Sequence, residues 1–232
     1  QGDRPMSKIF FLGDSITAGA WDEGGGWANR LIGRIMRETM TAGFLEGGFY
    51  CLPYNLGVSG DTVPDLLERA AQEIGARMDQ DDTPASIQIV CAIGTNDSQV
   101  VTSGNEIQIT VDAFAQSLER LCELAKKLSD RVSLIGLMPV DESLTNPCPW
   151  APDRSYTNAR LKVFEDAVGR VSSLKDLAFL PLFERWDAMG DYSRYLLDGL
   201  HPNGAGHGLL ADQIGDFLLD EGFFRFHRAS AG

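Results

Sequence analysis

One short stretch near the N-terminus constrains the fold more than any other: an apolar segment, residues 9–12, stops at Gly13 and is followed by Asp14 and Ser15. Such an apolar segment is typical of a buried strand. In an open α/β sheet, the turn after a strand lies at the carboxyl edge, where these folds build their sites. Ser15 is therefore a candidate nucleophile at that edge. A serine hydroxyl needs a histidine to take its proton, a carboxylate to orient the histidine, and donors for an oxyanion.

The rest of the chain alternates between strand-like and helix-like patterns. Further strands are predicted over residues 50–56, 86–93, 131–138 and 177–180, and helices over 26–40, 109–128 and 205–219. Two more helices are predicted, one after Asp61 as its N-cap and one carrying apolar residues over 161–171. This alternation indicates a single α/β domain, with a parallel sheet covered by helices on both faces. We expect the domain to span residues 8–222, between terminal tails of residues 1–7 and 223–232.

The charge of the chain narrows the range of partners. It carries 33 acidic against 20 basic residues, a net charge of -13, and no cluster of Lys and Arg. Nucleic acid and anionic membrane surfaces should repel such a chain. No stretch approaches the roughly 18 apolar residues of a spanning helix, so no membrane span is expected. The sequence favours a small-molecule partner and leaves the oligomeric state open.

Four widely spaced cysteines bear on the compartment: Cys51, Cys91, Cys122 and Cys148. They form no C-x-x-C pair, and we interpret them as free thiols of a reducing compartment, which favours a cytoplasmic location. The alternative is a secreted protein with two disulfides, whose leader was cleaved ahead of residue 1.

The chain contains three histidines, so the search for a base is short. His227 follows the last predicted helix and is interpreted as a surface residue, and His207 lies about one turn into that helix. His201 is preceded by Asp198 at three positions' distance, in a predicted turn. A carboxylate so placed can fold back beneath the ring and accept its Nδ1 proton, which leaves Nε2 free for a serine. Alone, an Asp-x-x-His pattern is more often a helix cap than a catalytic pair.

Oxyanion donors are expected where three predicted strand ends meet: the turn at Ser15, the turn of residues 57–60 and the turn at Asn96. The candidates are the main-chain N–H groups of Ser15 and Gly60 and the side-chain amide of Asn96. Gly60 lets the main chain approach a ligand, because it has no Cβ. Taken alone, each of the glycines is better explained as part of a turn, and Asn96 as the cap of a loop.

Four motif blocks, taken together, resemble the SGNH hydrolases, also called the GDSL esterase and lipase family. In the family's order they are Gly13-Asp14-Ser15-Ile16, Gly60 in the turn 57–60, Gly94-Thr95-Asn96-Asp97 and Asp198-Gly199-Leu200-His201. The resemblance implies a three-layer α/β/α sandwich with a flavodoxin-like, five-stranded parallel sheet of order 2-1-3-4-5. It also implies that Ser15 is the nucleophile, His201 the base and Asp198 its orienting group. The implied oxyanion donors are Ser15, Gly60 and Asn96.

The reaction expected from these roles is hydrolysis of a carboxylic ester through an acyl-enzyme, without cofactor or metal. Asp14 and Asp97 are expected to bond loop N–H groups rather than a metal. Loops over 21–27, 141–155 and 184–197 should border the site, the second as a wall or a lid. Short acyl esters or acetylated carbohydrates are the expected substrates, and lysophospholipids or thioesters come second. An acyltransferase and a catalytically silent binding module stay open as alternatives.

Overall fold

A computed structural model of the chain describes residues 7–43, 50–102 and 109–223. Its centre is a sheet of five strands: β1 (Ser7–Gly13), β2 (Cys51–Gly57), β3 (Ile87–Ala92), β4 (Arg131–Ile135) and β5 (Ala178–Leu180). All neighbouring strands are parallel, and their order is 2-1-3-4-5. The predicted α/β class and strand order are confirmed.

The helices cover both faces of this sheet. They are α1 (Ser15–Ala18), α2 (Gly26–Glu38), α3 (Val63–Gly75), α4 (Val111–Leu128), α5 (Glu142–Thr145), α6 (Asn158–Lys175), α7 (Phe183–Asp187) and α8 (Gly204–Asp220). Apolar residues of α3, α4 and α6 pack on one face, and those of α2 and α8 pack on the other. A π-helical turn (Thr39–Gly43) extends α2, and two 3₁₀ turns (Pro84–Ser86 and Tyr192–Tyr195) lie in connections.

Strand β1 explains why the apolar stretch near the N-terminus is continuous. Phe10 and Leu12 pack with the helices on one face of the sheet, and Ile9 and Phe11 pack with those on the other. Successive side chains of a strand point to opposite faces, so a central parallel strand covered on both sides has to be apolar throughout.

Two predicted boundaries are wrong for identifiable reasons. The N-cap of α3 is Thr62 rather than Asp61, and the Thr62 N–H donates to the Asp65 carboxylate at 2.9 Å. The fourth strand ends at Ile135 rather than residue 138, because its neighbour β3 has already ended at Ala92.

The ends of the domain are only partly described. Strand β1 begins at Ser7 and Phe223 packs into the core, whereas residues 1–6 and 224–232 of the two expected tails lie outside the described residues. His227 lies there too. All four cysteines are buried and unpaired. None of the described helices is long and apolar enough to cross a bilayer.

Candidate active site

Three motif blocks meet at the carboxyl edge of the sheet. In the strand register, Gly13 at the end of β1 lies beside Gly57 of β2 and Ala92 of β3. The turns that follow these positions carry Ser15, Gly60 and Asn96. The order of the strands thus brings together turns that are far apart in the sequence.

Ser15 is the first residue of the short helix α1. The carboxylate of Asp14 caps this helix by accepting from the Ile16 N–H at 2.9 Å. The preceding Gly13 has no room for a side chain, since a Cβ there would lie 2.3 Å from the Ala92 carbonyl oxygen. The close approach of β1 to β3 and the cap at Asp14 therefore fix where Ser15 stands.

A hydrogen-bonded row joins Ser15, His201 and Asp198. Ser15 Oγ lies 3.0 Å from His201 Nε2, and His201 Nδ1 lies 2.8 Å from Asp198 Oδ2. Burial alone would raise the pKa of Asp198, but hydrogen bonds from the His201 ring and from nearby main-chain N–H groups hold it below its usual value. An ionised Asp198 keeps the proton of the neutral ring on Nδ1, so that Nε2 can accept the proton of Ser15.

Three hydrogen-bond donors line the cleft in front of this row. The Asn96 side chain donates from Nδ2 to the Asp61 carbonyl at 2.9 Å, which uses one of its two N–H hydrogens. The main-chain N–H groups of Ser15 and Gly60 have no acceptor among the described residues. Gly60 has a φ of 87°, and its missing Cβ would meet no atom within 4 Å, so its main chain faces open space. Such a set of donors can bind an oxyanion.

The cleft itself has a volume of about 360 Å³ and is bordered by two tryptophans. Trp21 is 72% exposed, and its ring meets the His201 ring edge-on, with 6.4 Å between centroids. Trp150, in the loop 141–155, is 51% exposed and also lines the cleft. The loops 21–27 and 141–155 thus border the cleft as predicted.

The third predicted loop does not border the cleft. The connection 184–197 lies wholly within the described residues and contributes no lining side chain. Trp186, from that connection, is fully buried and donates to Gln213, while Trp27 is buried against Phe11. Both tryptophans therefore have packing roles.

Asp14 and Asp97 are buried acids that bond to the first turns of helices. Asp14 bonds Ile16, and both oxygens of Asp97 lie 3.1 Å from the N–H of Val63, where α3 begins. Burial raises the pKa of Asp14 to about 6 and that of Asp97 to about 7. In the described ranges, no three His, Cys, Asp or Glu side chains are grouped as metal ligands would be.

His207 takes no part in the cleft. It is fully buried, and its Nδ1 accepts from the main-chain N–H of Trp27 at 3.2 Å. Burial lowers the pKa of His207 to about 4. A neutral imidazole in this position links α8 to the start of α2.

Sequence reasoning missed three polar residues beside Asn96: Gln99, Arg154 and Tyr156. Two short antiparallel strands, Val100–Val101 and Arg154–Ser155, form what we call the ribbon. Gln99 and Tyr156 flank these strands, and Arg154 belongs to the second one. The Tyr156 hydroxyl donates to Asn96 Oδ1 at 3.1 Å. Two-residue strands are too short to show a periodic pattern, so no sequence signal marked this contact.

Comparison with known proteins supplies the family. Residues 11–209 match the model of the GDSL-like Lipase/Acylhydrolase family. The human isoamyl acetate-hydrolyzing esterase 1 homolog is 26% identical over 220 residues, which cover 89% of this chain and 79% of the relative. A crystal structure of the lipase/acylhydrolase from Enterococcus faecalis is 25% identical, with a TM-score of 0.69 over 96% of this chain and 100% of that one.

A more distant structure shares the fold. The acetylxylan esterase of Geobacillus stearothermophilus is 19% identical, with a TM-score of 0.68 over 98% of this chain and all of its own. The family match itself covers most of the chain and contains Ser15, Gly60, Asn96, Asp198 and His201. The chain therefore belongs to the GDSL-like lipase/acylhydrolase family, the hydrolases of the SGNH fold.

Proposed function

We propose that the protein is a serine esterase, which cleaves carboxylic esters through an acyl-enzyme on Ser15. The observation that carries this proposal is the row in which Ser15 Oγ lies 3.0 Å from His201 Nε2 and His201 Nδ1 lies 2.8 Å from Asp198. A nucleophile within hydrogen-bond reach of a base, itself oriented by a third group, is the arrangement that acyl transfer requires.

The acylation step uses each member of the row. Ser15 Oγ attacks the ester carbonyl while His201 Nε2 takes its proton, and the Asp198 carboxylate stabilises the imidazolium that forms. The oxygen that gains negative charge is bound by the N–H groups of Ser15, Gly60 and Asn96. The intermediate then expels the alcohol, which receives its proton from His201.

Deacylation repeats these steps with water. His201 removes a proton from the attacking water, the same three donors bind the second oxyanion, and Ser15 Oγ leaves with the proton that His201 returns. In an acyltransferase, an alcohol would take the place of this water.

The cleft favours esters with a short acyl group, in which the alcohol part is a sugar or another small alcohol. Two exposed tryptophans stand at its rim, and its lining includes Ser59, Thr62 and Gln99. Aromatic faces combined with hydroxyl and amide groups suit a polyhydroxylated alcohol better than a long hydrocarbon chain. The human relative is named for the hydrolysis of an acetate ester, which supports a short acyl group. Lysophospholipid and thioester substrates rank second.

A reducing compartment, with the cytoplasm as the first choice, is the location we propose. Its support is that all four cysteines are buried and unpaired. Labelling of thiols in the unfolded, unreduced protein from its native host would detect four free thiols, and a secreted form with two disulfides would give none.

The proposed activity is tested by hydrolysis of p-nitrophenyl esters from acetyl to palmitoyl. The wild type is compared with Ser15→Ala and with Ser173→Ala, which alters an exposed serine on α6. Activity that persists in EDTA and in Ser173→Ala, is highest on the shortest chains and vanishes in Ser15→Ala supports the proposal. An optimum on long chains would favour a lipid substrate. Retained activity in Ser15→Ala, or no activity in the wild type, would contradict a serine esterase. If ethanol is added to the assay, formation of an ethyl ester would identify an acyltransferase.

A further inference from the structure

Four side chains form one continuous row of hydrogen bonds along the cleft. Arg154 Nη1 donates to Gln99 Oε1 at 2.7 Å, and Gln99 Nε2 donates to the Tyr156 hydroxyl at 2.7 Å. The Tyr156 hydroxyl donates to Asn96 Oδ1 at 3.1 Å, and Asn96 Nδ2 donates to the Asp61 carbonyl at 2.9 Å. The row ends at a residue that the proposed mechanism uses as an oxyanion donor.

The chemistry of the two ends fixes the direction of every bond in this row. A guanidinium can only donate, so Gln99 has to present its oxygen to Arg154 and its NH₂ group to Tyr156. The hydroxyl of Tyr156 accepts from that NH₂ group, and its single proton then goes to the oxygen of Asn96. A main-chain carbonyl can only accept, so the Asp61 end demands the same orientation of the Asn96 amide.

This direction leaves one N–H of Asn96 for a ligand. The Asn96 oxygen is occupied by Tyr156, and one hydrogen of its NH₂ group is occupied by Asp61, so the second hydrogen stays available in the cleft that Asn96 lines. Hydrogen bonds in a row polarise one another, which strengthens the last donor. Tyr156 is 3% exposed, and burial raises the pKa of its phenol, so the hydroxyl keeps its proton.

The ribbon holds Tyr156 in place. Gln99 directly precedes the ribbon strand Val100–Val101, and Tyr156 directly follows the other strand, Arg154–Ser155. The main-chain N–H of Tyr156 also donates to the Thr145 carbonyl at 2.9 Å, which joins it to α5. The loop 141–155 is thus bonded to the turn that carries Asn96 and forms a wall of the cleft.

We propose that Tyr156 is a positioning residue for the oxyanion hole, which orients and polarises the Asn96 amide through its hydroxyl. This inference rests on the proposed function, because it assigns Asn96 to the oxyanion. Tyr156 acts on the transition state through Asn96, so its removal lowers kcat and leaves the KM of small esters nearly unchanged.

The test compares two matched variants, Tyr156→Phe and Tyr192→Phe. The Tyr192 hydroxyl accepts from the Asn158 side-chain amide at 3.1 Å and donates to the Val140 carbonyl at 3.2 Å, the same arrangement outside the cleft. On p-nitrophenyl acetate, Tyr156→Phe should lower kcat about tenfold, the effect of one lost hydrogen bond, while Tyr192→Phe retains the wild-type kcat. In the Asn96→Ala background, Tyr156→Phe should cause no further loss, because its route of action is gone.

A second variant tests the direction of the row without removing Tyr156. In Gln99→Glu both side-chain oxygens accept, so the Tyr156 proton turns toward residue 99 and Asn96 loses its donor. This nearly isosteric change should lower kcat about as much as Tyr156→Phe. Since the new charge could also act through space, Gln99→Glu is repeated in the Tyr156→Phe background, where it should have no further effect.

The outcomes separate this inference from the proposed function. If Asn96→Ala lowers kcat but Tyr156→Phe does not, the positioning role is refuted and the oxyanion hole stands. If Asn96→Ala itself retains full activity, the oxyanion assignment is wrong and the inference is refuted with it. If Tyr156→Phe lowers kcat by the same factor in the wild type and in the Asn96→Ala background, Tyr156 does not act through Asn96 and the inference is refuted. The side-chain ¹⁵N–¹H resonances of Asn96 provide a readout without substrate: they should shift in Tyr156→Phe and stay unchanged in Tyr192→Phe.

Discussion

The carboxylate of Asp198 accepts hydrogen bonds from both the main-chain N–H and the ring of His201. Oδ1 lies 2.7 Å from the His201 nitrogen, and Oδ2 lies 2.8 Å from its Nδ1. Oδ1 also accepts from the Leu200 N–H at 2.9 Å. A single carboxylate therefore shapes the turn and selects the tautomer of the ring that the turn carries.

Asp198→Asn should separate these two functions. The amide oxygen can still accept from the main-chain N–H groups, but the NH₂ group would face Nδ1 and force the ring proton onto Nε2. Nε2 then cannot accept the proton of Ser15, so we expect kcat on p-nitrophenyl acetate to fall by roughly 10³- to 10⁴-fold at neutral pH, with little change in KM. The matched control is Asp191→Asn, an exposed acid paired with Arg194. A loss of less than tenfold in Asp198→Asn would contradict the proposed role of this carboxylate.

Asn96→Ala should lower kcat by ~10²- to 10³-fold with KM little changed, because a side-chain oxyanion donor acts mainly in the transition state. Asn96→Asp preserves the shape but replaces the donor with a charged acceptor, so its kcat should be at least as low. Steady-state kinetics on p-nitrophenyl acetate provide the measurement. An unchanged kcat in Asn96→Ala would mean that Asn96 is not an oxyanion donor.

Trp21 combines exposure with a strained main chain. Its φ of 66° is in the left-handed region, which costs about 1–2 kcal/mol for a residue other than glycine, and it is 72% exposed. Trp21→Gly should therefore have a free energy of unfolding about 0.5–1 kcal/mol above that of Trp21→Ala. Both variants should raise KM for aryl or sugar esters by roughly 3- to 10-fold, since they remove the same aromatic face. Urea denaturation and kinetics measure the two effects, and an unchanged KM would show that Trp21 does not contact substrate.

His207 should make the folded state sensitive to acid. Burial lowers its pKa from 6.5 to about 4, so the unfolded chain takes up a proton at a higher pH than the folded chain. Stability that His207 contributes above pH 6.5 is therefore lost as the pH falls toward 4, by about 2 kcal/mol between pH 8 and pH 5. His207→Asn retains an acceptor for the Trp27 N–H but does not titrate.

The buried acids act in the opposite direction. Asp14 and Asp97, with pKa values of about 6 and about 7, protonate in the folded state first, so their contribution to stability rises as the pH falls from 7 toward 4. The test is therefore the difference between wild type and His207→Asn, by urea denaturation at pH 8, 6.5 and 5. The free energy of unfolding of the wild type, relative to that of His207→Asn, should be about 2 kcal/mol lower at pH 5 than at pH 8. A constant difference would mean that His207 does not titrate between folded and unfolded states.

The parts of this structure that sequence predicts are those set by burial and by strand ends. The apolar segment of β1 is continuous because both of its faces are covered, and that same burial made it visible in the sequence. Ser15, Gly60 and Asn96 follow consecutive members of one parallel sheet, so their meeting followed from topology. Their catalytic roles stay predictions.

The parts that sequence did not predict depend on tertiary contacts. Asp61 and Thr62 are both good N-cap residues, and the side chain of Asp61 is instead bonded to Arg69 at 2.7 Å. Tyr156 reaches Asn96 across 60 positions from an irregular loop, with no spacing that marks the pair. Left-handed backbone is expected at glycine, so nothing in the sequence marked Trp21 as a residue that adopts it.

The separation of Ser15 from His201 has a consequence for synthesis of the chain. The two residues are 186 positions apart, yet their side chains form one hydrogen bond. As the ribosome makes the chain from its N-terminus, Ser15 emerges well before residue 201, and this hydrogen bond cannot form until residue 201 has left the exit tunnel and docked. Under the proposed mechanism, a nascent chain therefore carries a serine that cannot yet attack an ester, and hydrolytic capacity arises only once His201 has docked at the sheet edge.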